Sequence, residues 1–235
     1  MPVTYVMSDL HGQYEKYLNM LDAISFSEDD VLYVLGDIVD RGDHPIKILQ
    51  DMCLRPNVFP IMGNHEQMAF TMLRKLCVEI TEKNYSNHLK TDDFHLLSEW
   101  FINGGQTTLE EFRRLSPEQR EDLFDYFDEF LYYEELFLNG YQFVLVHGGL
   151  EDFSPEKPLE DYPLHSLLWT KTDYKKRYYH DKYLITGHVP TVNIDPAYDG
   201  KIYARHGHIA IDCGAGYGNP LGCIRLDDFK TFYVN

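Results

Sequence analysis

Residues Val31–Gly42, with the sequence VLYVLGDIVDRG, decide the fold. Their first five residues are apolar and rich in β-branched and aromatic side chains, which is typical of a short buried β-strand. The run stops at Gly36, and Asp37 follows it directly. A polar residue at this position lies at the carboxyl end of the predicted strand, where α/β sheets bind their ligands.

Four further apolar runs end in the same way. They are Val3–Met7 before Ser8–Gly12, Val58–Met62 before Gly63–Glu66, Phe143–Val146 before His147–Gly149, and Tyr183–Thr186 before Gly187–His188. Helical patterns follow the first three of the five runs, and this succession of strand, turn and helix predicts an α/β fold. Pro60 is awkward in a central strand, so the run that contains it is predicted to form a strand that is short or begins late.

The stretch 77–140 has a different pattern. It predicts a mostly helical insertion within a single domain that spans residues 1–235. Inside it, Ser116 and Gln119 form a capping-box pattern, in which each side chain accepts from the backbone N–H of the other residue. This pattern predicts a helix over residues 117–132.

Composition and charge limit the classes of partner. Hydrophobic residues make up 44% and charged residues 25% of the 235 residues, which is the balance of an ordered globular chain. The 38 Asp and Glu outnumber the 21 Lys and Arg, and the net charge of −17 disfavours nucleic acid and anionic membranes. No apolar run approaches the roughly 20 residues of a membrane span, and no leader pattern begins the chain, so we expect a cytoplasmic protein. Nothing in the sequence indicates an oligomeric state.

Side chains that can bind metal collect at the predicted strand ends. Carboxylate, imidazole and amide groups suit divalent Mn, Fe or Zn, and we expect Mn first. One ion has too few coordination sites for so many ligands, whereas two ions about 3.5–4 Å apart use them well and clamp a phosphate between them. The polar residues at these ends are Asp9, His11, Asp37, Asp40, Arg41, Asn64, His65, His147 and His188.

In their order and spacing, these residues resemble a known motif set. Asp9–His11, Gly36–Gly42 (GDIVDRG), Gly63–Glu66 (GNHE), His147–Gly149 and Gly187–His188 are similar to the motifs of the phosphoprotein phosphatase family of calcineurin-like metallophosphoesterases. The likeness is to its bacterial and phage branch, which includes lambda-type protein phosphatase and diadenosine tetraphosphatase relatives. It extends to Trp100–Gly105 and Ile211–Ala215. The resemblance implies a four-layer αββα sandwich with a mostly helical insertion.

The resemblance also implies a role for each residue. Asp9, His11 and Asp37 would bind the first metal, and Asp37 would bridge to a second metal held by Asn64, His147 and His188. Arg41 would bind the phosphate oxygens through its planar fork. His65 would protonate the leaving oxygen, with Asp40 hydrogen-bonded to its ring.

Two departures from the family pattern matter. The bacterial branch usually has a phosphate-binding Arg just after a Trp, and here Lys171 is in that place, which keeps the charge and loses the bidentate fork. Lys171 is therefore predicted to bind substrate, with Arg177 or Arg205 as alternatives for this role. After His188 the chain also lacks the second His of the GHxH motif, which favours the phosphatase branch over nuclease-like branches.

Three other features are given local structural interpretations. Glu66 is interpreted as a helix-start carboxylate favoured by the helix dipole. Thr108 and Glu111 form a second capping-box pattern. Asn103–Gly105 is open to two interpretations, a tight turn or part of the lining of a substrate cleft.

The main functional prediction is a phosphoprotein phosphatase for phosphoserine and phosphothreonine, with phosphotyrosine left open. It would act by a hydroxide that bridges the two metals, on a phosphorylated protein, peptide or small molecule. One alternative is a dinucleoside polyphosphate hydrolase acting on diadenosine tetraphosphate. Another, of a different class, is a metal-dependent binding module with little turnover.

Overall fold

Two stacked five-stranded sheets carry the described part of the chain, which in this computed structural model comprises residues 2–79, 81 and 89–235. The strands are β1 (Thr4–Met7), β2 (Val31–Leu35), β3 (Val58–Ile61), β4 (Tyr133–Leu138), β5 (Tyr141–Val146), β6 (Lys182–Thr186), β7 (Tyr203–Arg205), β8 (His208–Ala210), β9 (Leu221–Arg225) and β10 (Thr231–Val234). The helices are α1 (Tyr14–Ala23), α2 (Pro45–Cys53), α3 (Asn64–Cys77), α4 (Thr91–Ile102), α5 (Gln106–Phe112), α6 (Pro117–Asp128), α7 (Leu164–Trp169) and α8 (Thr191–Ile194).

The order of strands is β10-β9-β1-β2-β3 in the first sheet and β4-β5-β6-β8-β7 in the second. Within the first sheet β1, β2 and β3 run parallel, and within the second β5, β6 and β8 do. Parallel neighbours end at the same edge of a sheet, so three polar clusters meet at one edge of the first sheet and two at one edge of the second. Contacts of Asp9 with His188 and of Asn64 with His147 join the two edges. The five strands predicted from the apolar runs are all present.

Alternation along the strands divides the core into three apolar layers. In β1, Tyr5 and Met7 belong to the apolar cluster that includes residues of helices α1–α6, whereas Val6 belongs to the cluster between the two sheets. In β5, Val144 and Val146 face a third layer, which is covered by α7 and the loops around it. Successive side chains of a strand point to opposite faces, so both sheets are buried on both sides. The predicted α/β sandwich fold is confirmed.

Pro60 lies in β3, the outermost strand of the first sheet. A proline lacks the N–H needed for a central ladder, and an edge strand tolerates it. The Pro60 carbonyl accepts a hydrogen bond from Leu131, so this edge is covered by the chain after α6. The strand is short, as the first of the two predicted options has it: it begins at Val58, at the start of the apolar run, and spans four residues.

The stretch predicted as an insertion contains α4, α5, α6 and then β4, a strand that the sequence pattern did not predict. Residues 80 and 82–88 of this stretch lie outside the described part, and its role as an insertion in one domain stays a prediction. The Ser116–Gln119 capping box is present, and the helix ends at Asp128, earlier than predicted. The second capping-box prediction is wrong, because Thr108 lies inside α5.

Among the described residues, no helix combines the length and the apolar character needed to cross a bilayer.

Candidate active site

Backbone strain is concentrated at the strand ends. Eleven described residues other than glycine have a positive φ, and six of them are predicted site residues. Such conformations are uncommon outside glycine and cluster where a structure holds functional groups in place. The six have φ values from 42° to 71° and are Asp9, His11, Asp37, Asp40, Arg41 and His188.

Glu66 holds the loop after β2 in this conformation. Its carboxylate is completely buried and accepts hydrogen bonds from the backbone N–H groups of Asp37, Ile38, Val39 and Gly63 at 2.7–3.0 Å. Burial and the nearby Asp37 carboxylate raise the pKa of Glu66 to about 7, while the N–H donors act in the opposite direction. The interpretation of Glu66 as a simple helix-start carboxylate is therefore too narrow, because it organises the loop that carries Asp37.

Asp37 lies at the centre of the site, between two groups of ligand atoms. In one group, His11 Nε2 and His65 Nε2 lie 3.7 and 3.8 Å from Asp37 Oδ2. In the other, His147 Nε2 lies 3.2 Å from Asp37 Oδ1, and His188 completes the group. Burial alone would raise the pKa of Asp37, but the surrounding histidines lower it well below its ordinary value. A carboxylate shared by two groups is suited to bridge two ions.

Asn64 belongs to the second group. Its Oδ1 lies 3.0 Å from both His147 Nε2 and His188 Nδ1. The other ring nitrogen of His147 donates to the Leu35 carbonyl at 2.7 Å, which directs Nε2 toward Asn64 and Asp37. A backbone carbonyl that fixes the tautomer in this way is the usual support of a metal-ligating histidine.

Asp9 and Asp212 place two more carboxylates beside Asp37. Asp9 accepts the backbone N–H of His188 at 3.2 Å. Burial, then Asp212 and Asp37, raise the pKa of Asp9 well above its ordinary value, because three buried carboxylates repel one another. Asp212 was not predicted as a site residue, although it lies in the Ile211–Ala215 segment on which the family resemblance rests.

This donor set fits divalent metal ions. Bound cations would relieve the repulsion among the buried carboxylates. Burial lowers the pKa of His11, His147 and His188, which favours the neutral ring that a metal ligand needs, while the Asp37 carboxylate acts in the opposite direction. Mixed carboxylate, imidazole and amide donors suit Mn, Fe or Zn and do not choose among them.

Arg41 lies at the His11 side of the site. Its Nη1 lies 2.8 Å from His11 Nε2 and its Nη2 lies 3.1 Å from His65 Nε2. The guanidinium lies 4.6 Å from the centre of the Tyr217 ring, and no described carboxylate forms an ion pair with it. An arginine without a carboxylate partner beside ligand atoms is available to bind an anion.

Asp40 accepts a hydrogen bond from His65 Nδ1 at 2.6 Å, as the resemblance implies. Two residues that were not predicted also contact Asp40: the Trp100 indole N–H donates to both carboxylate oxygens at 3.0 Å, and the Thr108 hydroxyl donates to one of them at 2.6 Å. The only available signal for Trp100 was its place in the Trp100–Gly105 segment.

A cleft of about 520 Å³ opens above these groups. Its rim includes Asn103, Trp169, Lys171 and Tyr217. Burial, then the charge of His147, lower the pKa of His188 to about 4, and the charge of Lys171, which lines the same cleft, acts in the same direction.

The two alternatives to Lys171 do not reach the cleft. Arg205 contacts Tyr198 and Asp195, and Arg177 donates to the His180 carbonyl. Neither belongs to the described residues that line the cleft. Asn103 lines the cleft, and the Gly104 carbonyl accepts the Arg41 backbone N–H at 3.0 Å. Both interpretations of Asn103–Gly105 therefore apply, since the segment forms a turn and also contributes to the cleft lining.

The sequence profile of the calcineurin-like phosphoesterases matches residues 3–212. The chain belongs to this family. Membership implies divalent metal ions, which agrees with the two groups of ligand atoms around Asp37.

Three relatives of this phosphoesterase are named as bis(5'-nucleosyl)-tetraphosphatases. A symmetrical bis(5'-nucleosyl)-tetraphosphatase of Nitrosospira multiformis is 24% identical over 97% of this chain and 94% of its own length. An asymmetrical bis(5'-nucleosyl)-tetraphosphatase of Geobacillus thermodenitrificans is 21% identical over 97% and 92%. A symmetrical enzyme of Wigglesworthia glossinidia brevipalpis is 31% identical over 41% of this chain, and the chain spans only 36% of that relative.

Solved structures resemble this phosphoesterase in fold. A candidate diadenosine tetraphosphatase superposes with a TM-score of 0.68 at 14% identity, over all of this chain and 95% of the other. A Saccharomyces cerevisiae protein serine/threonine phosphatase gives 0.57 at 16% identity, over 96% and 72%. These likenesses include both tetraphosphatase and protein phosphatase names, and at this identity they show the fold alone.

Proposed function

We propose that this phosphoesterase hydrolyses the polyphosphate chain of a dinucleoside polyphosphate with the help of two divalent ions. The observation that carries the proposal is the placement of two cations in one cleft. Arg41 lies beside His11 and His65, and Lys171 lines the same cleft. A monoester offers one phosphoryl group, while a polyphosphate chain offers neighbouring phosphates to both cations.

The names of the relatives support this choice, since two that align with nearly the whole chain are called bis(5'-nucleosyl)-tetraphosphatases. They favour the alternative of the sequence analysis over its main prediction of a serine/threonine phosphoprotein phosphatase.

In this proposal Asp9, His11, Asp37, Asn64, His147 and His188 hold the two ions. The ions would supply positive charge to the phosphate and a water molecule of lowered pKa. Arg41 binds the phosphate oxygens next to His65. His65 keeps its Nδ1 proton against Asp40 and gives its Nε2 proton to the leaving phosphate oxygen.

A phosphoprotein phosphatase remains the second candidate, and the charge of the chain favours it. The net charge of −17 repels a polyanion and attracts a basic phosphopeptide. The cleft is also open at a rim with Asn103 and Tyr217, which leaves room for a peptide.

A substrate panel tests the proposal. We expect the purified chain with Mn²⁺ to hydrolyse diadenosine tetraphosphate with a higher kcat/KM than phosphoserine, phosphothreonine or phosphotyrosine peptides. An Asp37→Asn variant serves as the inactive control. Preference for the phosphopeptides would reject the dinucleotide in favour of the second candidate. No hydrolysis of either class, or of p-nitrophenyl phosphate, would favour the metal-dependent binding module.

A pair of variants at Lys171 tests the observation itself. Lys171→Met should raise KM for diadenosine tetraphosphate by about tenfold, because one charge-assisted contact is lost. Lys171→Arg keeps the charge and should have a KM close to that of the wild type. KM for p-nitrophenyl phosphate should change by less than about twofold. An equal change in KM for both substrates would place Lys171 at the reacting phosphate.

A further inference from the structure

We propose that Trp100 and Thr108 position the general acid, so that α4 and α5 form part of the catalytic machinery. The inference rests on the proposed function only in that His65 protonates the leaving oxygen. Neither residue contacts the ligand groups around Asp37 in the hydrogen bonds of the structure. Both act on His65 through Asp40, which makes them positioning residues.

The surroundings of Asp40 carry the argument. Its side chain is completely buried, and no Lys or Arg forms an ion pair with it among the described residues. Oδ2 accepts from His65 Nδ1, Oδ1 accepts from Thr108 Oγ1, and the Trp100 indole bridges both oxygens. A buried carboxylate needs such donors, and three donors in different directions leave it one orientation.

Thr108 holds the backbone of Asp40 as well as its side chain. The hydroxyl accepts the Asp40 N–H at 2.9 Å while it donates to Asp40 Oδ1 at 2.6 Å. Asp40 has a φ of 71°, a conformation that a non-glycine residue keeps only when its surroundings determine it. One hydroxyl therefore ties the strained backbone and the carboxylate together.

The orientation of Asp40 decides which atom of His65 faces the cleft. With the Nδ1 proton donated to Asp40, Nε2 points to Arg41 and to Asp37 Oδ2. If the carboxylate could rotate, the ring would lose its fixed orientation, and Nε2 would no longer be held for proton transfer.

The segment between the two residues is built for close approach. A Cβ at Gly105 would lie 2.4 Å from the Trp100 ring, and one at Gly104 would lie 2.8 Å from Arg41 Cγ. Gly104 also has a φ of 98° and accepts the Arg41 N–H. The same short segment thus supports both Asp40 and Arg41, the neighbours on the loop after β2.

Buried hydrogen bonds also stabilise folds, so the test must separate positioning from structure. Thr108→Val removes the hydroxyl at nearly constant volume, Trp100→Phe removes the indole N–H, and Thr108→Ser is the matched control that keeps both hydrogen bonds. Each variant is assayed with two substrates. Phenyl phosphate has a poor leaving group, phenolate, whereas the p-nitrophenolate of p-nitrophenyl phosphate leaves with little protonation. General acid catalysis of this kind contributes roughly 10²–10⁴-fold, and mispositioning should remove part of it.

For Thr108→Val and Trp100→Phe we expect kcat with phenyl phosphate to fall about 10–100-fold, with a change below about threefold for p-nitrophenyl phosphate and with KM unchanged. Thr108→Ser should retain the wild-type ratio of the two kcat values. Equal losses with both substrates would show a structural role and overturn the proposal.

A second readout needs no substrate. In proton NMR of the ¹⁵N-histidine protein, the His65 Nδ1 proton should appear far downfield because of its short hydrogen bond to Asp40. It should move or broaden in Thr108→Val and Trp100→Phe and remain in Thr108→Ser. An unchanged signal in folded Thr108→Val and Trp100→Phe would overturn the proposal, even if diadenosine tetraphosphate proves to be the wrong substrate.

Discussion

His65 is held at Nδ1 by Asp40, and Arg41 lies beside its Nε2. Burial lowers the pKa of His65, but the Asp37 charge and the Asp40 hydrogen bond outweigh burial and raise the pKa above its ordinary value. A histidine that keeps its proton near neutral pH can act as a general acid. His65 Nε2 also lies among the ligand atoms around Asp37, so the geometry alone allows a second role as a metal ligand.

Substitution of His65 separates these two roles. His65→Asn should leave two ions bound per chain and reduce kcat by roughly 10²–10⁴-fold for poor leaving groups, with a smaller loss for p-nitrophenyl phosphate. His11→Asn is the control, because it should lose bound metal. Metal content is measured by elemental analysis after dialysis. Loss of one ion from His65→Asn would make His65 a ligand instead.

The sequence is informative about residues that end a strand. Asp37, His147 and His188 could be predicted because an apolar run shows where its strand ends and parallel strands end together. Trp100 and Thr108 could not be predicted in the same way. They reach Asp40 from 60 and 68 residues further along the chain, and only the packing of α4 and α5 brings them there.

At the scale of the element, α3 begins with a carboxylate that serves more than its own helix. Glu66 lies in the first turn of α3, where a negative charge is favoured by the dipole. The same carboxylate accepts three N–H groups from the loop after β2. The start of α3 and the loop that carries Asp37 therefore form one hydrogen-bonded unit. The local sequence of α3 predicts the helix but not the hydrogen bonds that join it to this loop.

Glu66→Gln tests how much this unit contributes to stability. The amide replaces one acceptor oxygen by a donor, so one or two buried N–H groups lose their partner, and we expect the free energy of unfolding to fall by about 2–4 kcal/mol. Glu118, exposed in the first turn of α6, provides the matched control. Glu118→Gln should cost under about 1 kcal/mol, the value of a dipole interaction alone. Urea unfolding measures both, and equal small losses would return Glu66 to its simpler interpretation.

The buried His208 of β8 makes a pH-dependent contribution to stability. Its Nε2 lies 2.9 Å from Thr186 Oγ1 in the neighbouring β6, and its ring stacks on Tyr174 with the centres 4.7 Å apart. Burial lowers the pKa of His208 to about 3. The unfolded chain binds a proton near the ordinary pKa of about 6.5, and the folded chain does not. Stability from this group is therefore complete above about pH 6.5 and is lost as the pH falls from there toward 3.

His208→Gln should remove the pH-dependent contribution of His208 to the free energy of unfolding. The difference in free energy of unfolding between wild type and variant should shrink by up to about 1.4 kcal/mol per pH unit between pH 6 and pH 4. His206→Asn, a substitution of the exposed histidine in the same hairpin, should show no such trend. Urea unfolding at several pH values gives the comparison. A constant difference between wild type and His208→Gln would mean that His208 titrates normally in the folded chain.

At the scale of the whole molecule, the negative net charge of the chain and the positive charge expected in the cleft have opposite effects on an anionic substrate. Residues 92–135 contain thirteen Asp and Glu against three Arg, a net of −10, so this stretch holds most of the excess of −17. Part of that charge is paired, as in the contact between Asp128 and Arg74. Four other exposed carboxylates of α6 have no ion-pair partner among the described residues; they are Glu118, Glu121, Asp122 and Asp125. Arg41, Lys171 and two divalent ions would instead make the cleft positive.

The salt dependence of kcat/KM follows from this arrangement and separates the two candidate substrates. The average negative field slows the approach of a polyanion, and salt screens that field with a Debye length that falls from about 30 Å at 0.01 M to about 8 Å at 0.15 M. For diadenosine tetraphosphate we therefore expect kcat/KM to rise by a few-fold over this range, whereas for a basic phosphopeptide it should fall. The triple variant Glu118→Gln, Glu121→Gln, Asp125→Asn should flatten both trends and leave hydrolysis of p-nitrophenyl phosphate nearly unchanged. A fall in kcat/KM with salt for diadenosine tetraphosphate would mean that the local positive charge of the cleft, rather than the acidic surface, governs its approach.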